Sequence, residues 1–499
     1  MNFTLSLSSA DLLLLLPEIF LTLWICMLLA VDAIPSHVDK KVIGNLSIVG
    51  LCATLVTLIW FYINGKTGTL FNGMYVLDPM AIYFKIFIVT STILVVSMSI
   101  ESVERFPAFR GEYYFLVLMS ALGAMLMASA NDLVSIFVTL EFTTFGFYIL
   151  VAYLREDSKS NEAGLKFFIL GAFTAGILAF GISLIYGATG KLILTDIAQA
   201  VGEPSAALIA GFLLLFAALG FKIGAVPLHT WIPDVYHGAP TPVTAFLSVA
   251  PKGAALAILL RIFFVTLAGF AAEWVWLLVL VAIISMTYGN IVAIAQSNMK
   301  RLLAYSGIAQ IGNVVIGLAA ANKMGGESIM FYLWAYLFAN LGAFAVVIAV
   351  AHIINSEEIE DYNGLNRRSP FLAFAMLLFL LSLAGVPPLA GFIAKLYIFV
   401  AAMKAGLIAL VIVGLINVVI SMYYYLIVVK KMYINEPTDP SPLTVSPTMT
   451  VGISVAIAGT LILGIYPKPF IDWTVHATQM FNHLNIITTT NPFTLPFGG

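Results

Sequence analysis

Residues 211–261 have the sequence GFLLLFAALGFKIGAVPLHTWIPDVYHGAPTPVTAFLSVAPKGAALAILLR, which decides the kind of fold this chain can adopt. Two apolar runs, each long enough to cross about 30 Å of hydrocarbon, flank a polar centre that is rich in proline. The first run is interrupted near Val226 and Pro227, and both Lys222 and Lys252 lie deep in apolar sequence. A lysine in hydrocarbon is energetically costly, and such residues are usually functional. The stretch therefore predicts two membrane helices that carry functional charges.

The rest of the chain has the same apolar character. Hydrophobic residues make up 61% of its 499 residues and charged residues only 10%. This composition excludes a water-soluble domain and indicates a polytopic membrane protein. A formal net charge of −2 gives no general attraction to nucleic acid. The two cysteines, Cys26 and Cys52, can form neither a disulfide framework nor a four-thiolate iron–sulfur site, and no metal site is predicted.

Apolar runs of membrane-spanning length predict an all-α fold with about fourteen transmembrane helices, of which helices 7 and 12 are interrupted. No basic residue precedes Lys40, which argues against a cleaved signal peptide, so the first run is expected to be a span. The connections are short and leave no room for an inserted soluble domain. The predicted spans are 11–31, 42–63, 79–99, 113–129, 132–154, 162–188, 206–236, 241–265, 274–295, 300–321, 327–353, 370–404, 407–432 and 448–466.

The distribution of basic residues predicts the orientation in the membrane. The odd-numbered connections hold 13 lysines and arginines, whereas the even-numbered connections, the adjoining helix ends and the tail hold six. Basic residues accumulate on the cytoplasmic side of membrane proteins. The odd connections are therefore expected to be cytoplasmic, with both termini outside.

Two similar pentapeptides indicate an internal repeat. Residues 224–228, GAVPL, and residues 385–389, GVPPL, each interrupt an unusually long span. If helices 4–8 and 9–13 are equivalent, their odd number makes the two units run in opposite directions, as in transporters with inverted repeats. The alternative is a pair of ordinary proline kinks. The predicted organisation is 1–110, an N-terminal three-helix segment; 111–267, the first five-helix repeat; 268–434, the second, inverted repeat; and 435–499, a C-terminal helix and tail.

Four charged residues lie near the middle of predicted spans. Glu141 lies in helix 5, Lys222 midway along helix 7, Lys252 in helix 8 and Lys395 after the break in helix 12. Burial favours the neutral form of a lysine, whereas a nearby carboxylate favours the charged form. Opening and closing a Glu141–Lys222 pair would therefore switch the lysine between releasing and holding a proton. Together the four predict a proton relay along the membrane plane, although a structural ion pair or a snorkelling side chain could explain each one singly.

Two other residues are ambiguous. Lys85 lies within seven residues of Asp78 at the outer boundary, and its side chain is expected to snorkel to the interface. His229 follows the break in helix 7, where it could equally line a wet cavity or cap a helix.

Several motifs resemble the antiporter-like subunits of respiratory complex I. Glu141 lies in VTLEF, and the block GFKIGAVPLHTWIPDVYHGAPTPVTAFLSVAPK contains both Lys222 and Lys252. Residues 299–312, MKRLLAYSGIAQIG, and 382–396, SLAGVPPLAGFIAKL, match as well. The resemblance covers nearly the whole chain and is closest to the N subunit, called subunit 2 in mitochondrial naming. The chain ends soon after helix 14 and has Lys395 where the M subunit typically has a glutamate, and both features favour N.

The resemblance implies a proton-translocating subunit of an NADH:quinone oxidoreductase. Glu141 and Lys222 would be the coupling pair, Lys252 the central relay and Lys395 the terminal site. Many relatives have a histidine where this sequence has Gln310, and glutamine carries no proton at neutral pH. The relay between Lys252 and Lys395 would then depend on water, supported by Tyr305 or nearby polar groups, with His229 as a further secondary candidate.

The resemblance also implies where the redox chemistry occurs. The sequence has no flavin, nicotinamide or iron–sulfur motif, so flavin, iron–sulfur clusters and quinone are expected in partner subunits, reached through neighbouring membrane subunits. The expected location is a bacterial plasma membrane, with a thylakoid or other organelle membrane as the alternative. A multi-subunit cation/proton antiporter, driven by an ion gradient instead of electron transfer, is the alternative function because its subunits share the same motifs.

Overall fold

The computed structural model describes residues 9–33, 40–106, 110–200, 205–437 and 439–481. Within these ranges thirteen helices are individually long and apolar enough to cross a membrane, and Pro370–Ala384 is a shorter apolar helix that is followed after a break by Ala390–Lys404. The predicted all-α membrane fold is therefore confirmed. The helices are α1 (Leu16–Ala33), α2 (Lys40–Ile63), α3 (Pro79–Glu104), α4 (Arg110–Ala128), α5 (Leu133–Val151), α6 (Ser158–Thr189), α7a (Ala206–Ile223), α7b (Trp231–Gly238), α8 (Thr241–Arg261), α9 (Ala271–Ile294), α10 (Met299–Ala319), α11 (Lys323–Ile354), α12a (Pro370–Ala384), α12b (Ala390–Lys404), α13 (Ile408–Tyr433), α14 (Pro447–Ile465) and α15 (Lys468–Ala477).

Shorter elements connect these helices. An antiparallel hairpin of β1 (Gly68–Leu70) and β2 (Tyr75–Leu77) lies between α2 and α3. Three short α-helices cover Ser9–Leu14, Leu194–Ala200 and Leu365–Arg368. A π-helical turn at Ile262–Thr266 extends α8, and 3₁₀ turns form at Phe71–Gly73, Ala268–Phe270 and Ile359–Tyr362.

Side-chain caps fix where several of the membrane helices begin. Asp78 accepts a hydrogen bond from the Ala81 amide at the start of α3. Asp132 accepts from the first free amides of α5, and Asn298 does the same at α10. A cap satisfies backbone donors that the first helical turn leaves unpaired. Each of these helices therefore starts at a defined residue.

The most deeply buried helices are α8 and α10. Every residue in the most apolar window of α10 is buried, as are 94% of those in the corresponding window of α8 and its π-helical extension. Only 28% of the corresponding windows are buried in α1 and α6. A helix that is apolar on all sides can be covered by other helices or by lipid, and burial distinguishes the two cases. The centre of the bundle is thus formed by α8 and α10, with α3 and α11 next in burial.

The two predicted interruptions have the same backbone geometry. Gly224, with φ of 82°, ends α7a, and its amide and the following amide both donate to the Gly220 carbonyl at 2.9 Å. Gly385, with φ of 91°, ends α12a, and its amide and the next one donate to the Leu381 carbonyl at 3.0 Å. A left-handed residue after the last turn is the usual glycine helix end. A cis X–Pro bond follows each glycine.

The environment of Lys85 contradicts the expectation that it snorkels. Its side chain is 0% exposed, and its Nζ lies 2.5 Å from Glu18 Oε1 on α1. The same ammonium donates to the Tyr75 hydroxyl of β2 at 2.7 Å. Because α1 and the hairpin cover the first turns of α3, the lysine is enclosed and paired where it stands. The prediction of snorkelling was wrong.

A second buried ion pair joins this N-terminal region to the bundle centre. Arg261, at the end of α8 and 2% exposed, donates from both terminal nitrogens to the Asp78 carboxylate, at 2.8 and 3.0 Å. Paired hydrogen bonds of this kind combine strength with a fixed geometry. The start of α3 is therefore held against the end of the helix that carries Lys252.

Candidate functional site

Lys222 and Glu141 face each other between α7a and α5. Lys222 lies in the last turn of α7a, and its Nζ is 4.0 Å from Glu141 Oε1. The ammonium donates a hydrogen bond to the Thr144 hydroxyl, one turn along α5, at 2.8 Å. The side chain of Glu141 is 28% exposed, whereas that of Lys222 is 10% exposed. The structure thus brings the predicted pair together, with Thr144 as the closer partner of the lysine.

The break in helix 7 holds the backbone beside Lys222. The Trp231 indole of α7b donates a hydrogen bond to the Phe221 carbonyl at 2.9 Å. That carbonyl lies in the last turn of α7a, where carbonyl groups have no partner within the helix. The bond therefore connects the two halves of helix 7 directly next to the lysine.

Lys252 lies inside α8 without a polar partner. It is 1% exposed, and among the described residues no acceptor lies within hydrogen-bond distance of its Nζ. The nitrogen lies 5.8 Å from the centre of the Tyr236 ring on α7b. A buried ammonium without a counter-charge is strongly unfavourable, whereas a buried neutral amine costs less. The arrangement suits a group that exchanges protons, and it does not fit a structural ion pair.

Lys395 is held by the carbonyl end of a half-helix. Its Nζ, on α12b, donates to the carbonyl oxygens of Leu383 and Ala384, both at 2.8 Å. These are the last two residues of α12a. Unpaired carbonyls at a helix C-terminus attract positive charge. The break in helix 12 therefore supplies the binding site for the lysine that follows it.

Gln310 contacts the same carbonyl as Lys395. Its Nε2 donates to the Leu383 carbonyl at 2.9 Å, and the Tyr332 hydroxyl donates to its Oε1. A small cavity beside these groups is lined by Gln310, Tyr332, Tyr336 and Lys395. Gln310 and the terminal lysine thus share one carbonyl acceptor in the structure.

His229 and Tyr305 belong to a separate aromatic group. The His229 ring is 7% exposed and lies 4.6 Å, centre to centre, from the ring of Tyr288. The Tyr288 ring is in turn 6.3 Å from that of Tyr305. Tyr305 is not among the residues that line the cavity beside Lys395. Tyr332 and Tyr336 line that cavity instead.

Asp234 forms a charged cluster near this aromatic group. Its carboxylate is 2.8 Å from Lys166 Nζ on α6 and 3.2 Å from the Arg301 guanidinium on α10. Its side chain is 42% exposed, so water screens these pairs, and they contribute modestly to stability. The cluster links α7b to α6 and α10.

Sequence reasoning missed Thr144, Tyr236 and Tyr336. All three are uncharged, so charge did not single them out, and Tyr236 passed unnoticed inside the motif that contains Lys222 and Lys252. One signal was available for Thr144, which lies three residues after Glu141 and therefore on the same face of a helix. Within the described part of the chain, no group of three or more His, Cys, Asp or Glu side chains could hold a metal ion.

Comparison with known proteins identifies the family. Residues 130–421 match the family described as "NADH:quinone oxidoreductase/Mrp antiporter, TM". The chain is 42% identical over 452 residues to NADH-quinone oxidoreductase subunit N of Desulforamulus reducens, with 90% of this chain and 94% of that protein covered. It is 40% identical over 484 residues to NAD(P)H-quinone oxidoreductase subunit 2 of Gloeobacter violaceus, with 95% and 94% covered. This chain belongs to the subunit N family.

Solved structures agree with membership of the subunit N family. A chain of respiratory complex I from Thermus thermophilus with bound Aureothin is 32% identical and has a TM-score of 0.79. The match covers 91% of this chain and 98% of that one. A chain of the Mrp complex from Dietzia sp. has a TM-score of 0.86 at 20% identity, over 96% of this chain and 99% of that one. The second likeness is one of fold alone. The resemblance found in the sequence is confirmed.

Proposed function

We propose that this chain is a proton-translocating membrane subunit of a redox-driven quinone oxidoreductase that uses NADH or a related electron donor. One observation carries the proposal most directly. Lys252 is enclosed in the most buried part of the bundle and has no counter-charge among the described residues, a costly arrangement that a purely structural helix would not need. The names of the relatives in the subunit N family support the same function.

Each buried charge has a separate part in this function. Glu141 and Lys222 form the coupling pair, Lys252 is the central relay, and Lys395 is the terminal site. Contact with Thr144 on one side and Glu141 on the other gives Lys222 two alternative partners. Moving between them changes the free energy of protonating the lysine, because a carboxylate stabilises the ammonium more than a hydroxyl does.

The secondary residues act around this row. Gln310 holds the Leu383 carbonyl that also binds Lys395, so it orients the terminal site. His229 and Tyr305 are secondary candidates, and both contact the Tyr288 ring in the aromatic group between the break in helix 7 and α10.

The domain organisation proposed is 1–110, 111–267, 268–434 and 435–499, with the two central units as inverted repeats. The identical hydrogen-bond patterns at Gly224 and Gly385 support their equivalence. The excess of basic residues in the odd-numbered connections favours a cytoplasmic location for those connections and an outer location for both termini. The membrane proposed is the bacterial plasma membrane, because the relatives compared above are bacterial proteins.

The electron chemistry belongs to partners. The two cysteines of the chain cannot supply the four thiolates of an iron–sulfur cluster. Flavin, iron–sulfur clusters and the quinone site are therefore assigned to other subunits of a larger assembly, which this chain joins through neighbouring membrane subunits. The Thermus relative was solved within respiratory complex I, and this supports such an assembly.

Isolation of the native assembly tests this function. The membranes are solubilised gently, the intact complex is purified, and its subunits and cofactors are identified by mass spectrometry and visible spectroscopy. Flavin, iron–sulfur clusters and a quinone-site subunit are expected. A large assembly of membrane subunits without redox cofactors would overturn the proposal and favour a cation/proton antiporter.

The number of protons pumped per turnover then tests the proposed roles of Lys222 and Glu141. In the purified complex in sealed vesicles, Lys222→Met and Glu141→Gln are expected to assemble normally and to lower turnover coupled to pumping by roughly tenfold, a barrier change of about 1.4 kcal/mol. Lys191→Met, at an exposed position just after α6, is the control for loss of a positive charge. Unchanged rate and proton yield in both assembled variants would contradict the proposed pair.

A further inference from the structure

Gly307 leaves open a small space between Lys252 and the hydroxyl of Tyr336. A Cβ atom added to Gly307 on α10 would lie 3.5 Å from Lys252 Nζ and 3.2 Å from the Tyr336 hydroxyl. In the part of the chain that the structure describes, no other atom outside the local helix lies within 4 Å of that position. The two polar groups, one on α8 and one on α11, therefore face the same space, and glycine is the residue that keeps it free.

Two buried polar atoms border this space, and a third belongs to Tyr236, whose ring centre lies 5.8 Å from the Lys252 Nζ. They are the Lys252 Nζ and the hydroxyls of Tyr236 and Tyr336, which find no hydrogen-bond partner among the described residues. The three side chains are 1%, 0% and 6% exposed. Buried polar groups are almost always satisfied by protein or by ordered water. Two such atoms that face one space, with a third on the adjacent Tyr236, indicate a site for water.

Tyr336 also borders the cavity that contains Lys395. Tyr336 lines the small cavity that Gln310, Tyr332 and Lys395 also line. The Tyr332 hydroxyl donates its hydrogen bond to Gln310 Oε1. The Tyr425 hydroxyl is paired with the Ser306 hydroxyl at 2.5 Å. Among the described tyrosines around this cavity, Tyr336 is the one whose hydroxyl remains available and which also faces Lys252.

We propose that Tyr336 is a relay residue that carries protons between Lys252 and Lys395 through water held beside Gly307. The inference deepens the proposed function and rests on it. It also replaces the support that the sequence assigned to Tyr305, which lies in the separate aromatic group with Tyr288.

The transfer conserves protons and charge at every step. The Lys252 ammonium gives one proton to a hydrogen-bonded water and becomes a neutral amine. That water passes a proton to the Tyr336 oxygen while the phenol releases its own proton into the cavity on the other side, so the tyrosine ends neutral. The released proton reaches the Lys395 amine, which becomes an ammonium and donates to the Leu383 carbonyl. A hydroxyl can accept and donate at once, which makes it suitable for this role.

Two substitutions test the relay in the intact complex in sealed vesicles. Tyr336→Phe removes only the hydroxyl, and Gly307→Ala places a methyl group in the space that the water occupies. Each is expected to lower turnover and proton pumping on the order of tenfold. Because proton transfer becomes limiting, the solvent deuterium isotope effect on turnover is expected to rise. A substitution that only loosened packing would not increase that isotope effect.

Matched controls separate the relay from general effects. Tyr113→Phe removes a fully buried hydroxyl on α4 that is paired with Ser99, away from this cavity. Gly176→Ala adds a methyl group on α6, where nothing lies within 4 Å. Both are expected to leave the rate and the isotope effect unchanged.

Lys252→Met distinguishes failure of the relay from failure of the proposed function. If Lys252→Met blocks pumping while assembled Tyr336→Phe and Gly307→Ala keep the normal rate and isotope effect, the relay is wrong and the function stands. If Lys252→Met also pumps normally, the proposed function itself fails. If Tyr336→Phe does not assemble, the milder Gly307→Ala decides alone.

Discussion

The Lys222 ammonium is closer to the Thr144 hydroxyl, at 2.8 Å, than to the Glu141 carboxylate, at 4.0 Å. The threonine proton is already used, because its Oγ1 donates to the Leu140 carbonyl at 2.7 Å. Only the lone pairs of that oxygen face the lysine, so Thr144 acts here as an acceptor. In the structure, Lys222 therefore forms a hydrogen bond with Thr144, its weaker partner. Glu141, its stronger partner, lies at the limit of an ion-pair contact.

Substitution of Thr144 tests whether this competition controls the coupling lysine. Thr144→Val keeps the side-chain shape and removes the acceptor, so Lys222 is expected to remain with Glu141. A hydrogen bond to a charged group is worth about 1.5–3 kcal/mol, and loss of that amount is expected to slow turnover by roughly tenfold or more. Turnover of the intact complex in vesicles is the measurement.

The conservative variant is the control for Thr144. Thr144→Ser keeps an acceptor at the same position and is expected to retain near-normal turnover. A normal rate in assembled Thr144→Val, or an equal loss in both variants, would contradict the role of the hydroxyl as the alternative partner of Lys222.

The helix breaks were predictable from sequence because their signals are local. Glycine and proline act on the backbone where they stand, so the interruption near Pro227 and its counterpart before Lys395 follow from a few residues each. Glu141 and Lys222 stood out for a different reason, since charges in apolar helices are conspicuous without any knowledge of packing.

What the sequence did not reveal depends on contacts between distant helices. Tyr336 is an ordinary aromatic residue in an apolar run, and its relation to Lys252 exists only because α8, α10 and α11 meet at Gly307. Lys85 was misjudged for the same reason, because its partner Glu18 lies on another helix far away in the chain. Local sequence patterns predict helices and the breaks in them. Contacts between side chains on distant helices can be identified only from the folded structure.

The Lys85–Glu18 pair is expected to stabilise the attachment of the N-terminal helices. Lys85→Met would leave the buried Glu18 carboxylate without a counter-charge, and breaking a buried pair in this way costs about 3–5 kcal/mol. The loss is measured as a lower temperature of subunit release from the purified complex. Because neutral residues of similar size cost far less to bury, the double variant Glu18→Gln/Lys85→Met is expected to recover most of the stability. A double variant as unstable as Lys85→Met would show that the pair itself is not the cause.

Gly385 is expected to be required for the position of Lys395. A Cβ atom at Gly385 would lie 2.9 Å from Lys395 Cδ, in a backbone conformation with φ of 91°. Gly385→Ala is therefore expected to displace the lysine from the Leu383 carbonyl and to lower turnover roughly tenfold, in addition to a backbone cost of about 1–2 kcal/mol. Gly65→Ala is the control, since it has φ of 57° and nothing within 4 Å. Gly65→Ala is expected to lower stability through the backbone strain and to leave turnover normal. A normal turnover in Gly385→Ala as well would contradict the role of Lys395 in proton transfer.

Gln310→His is expected to preserve the local hydrogen bonds and to add a titratable group. Neutral imidazole has one donor and one acceptor, which can replace the amide contacts to the Leu383 carbonyl and the Tyr332 hydroxyl. Histidine changes charge between about pH 5 and 8, and its cationic form would disfavour protonation of the neighbouring Lys395. Turnover is therefore expected to match the wild type at pH 8 and to fall below it as the pH decreases. Gln310→Leu, which removes both contacts, should be slower at every pH. A histidine variant with the pH profile of the wild type would show that this position does not influence the terminal lysine.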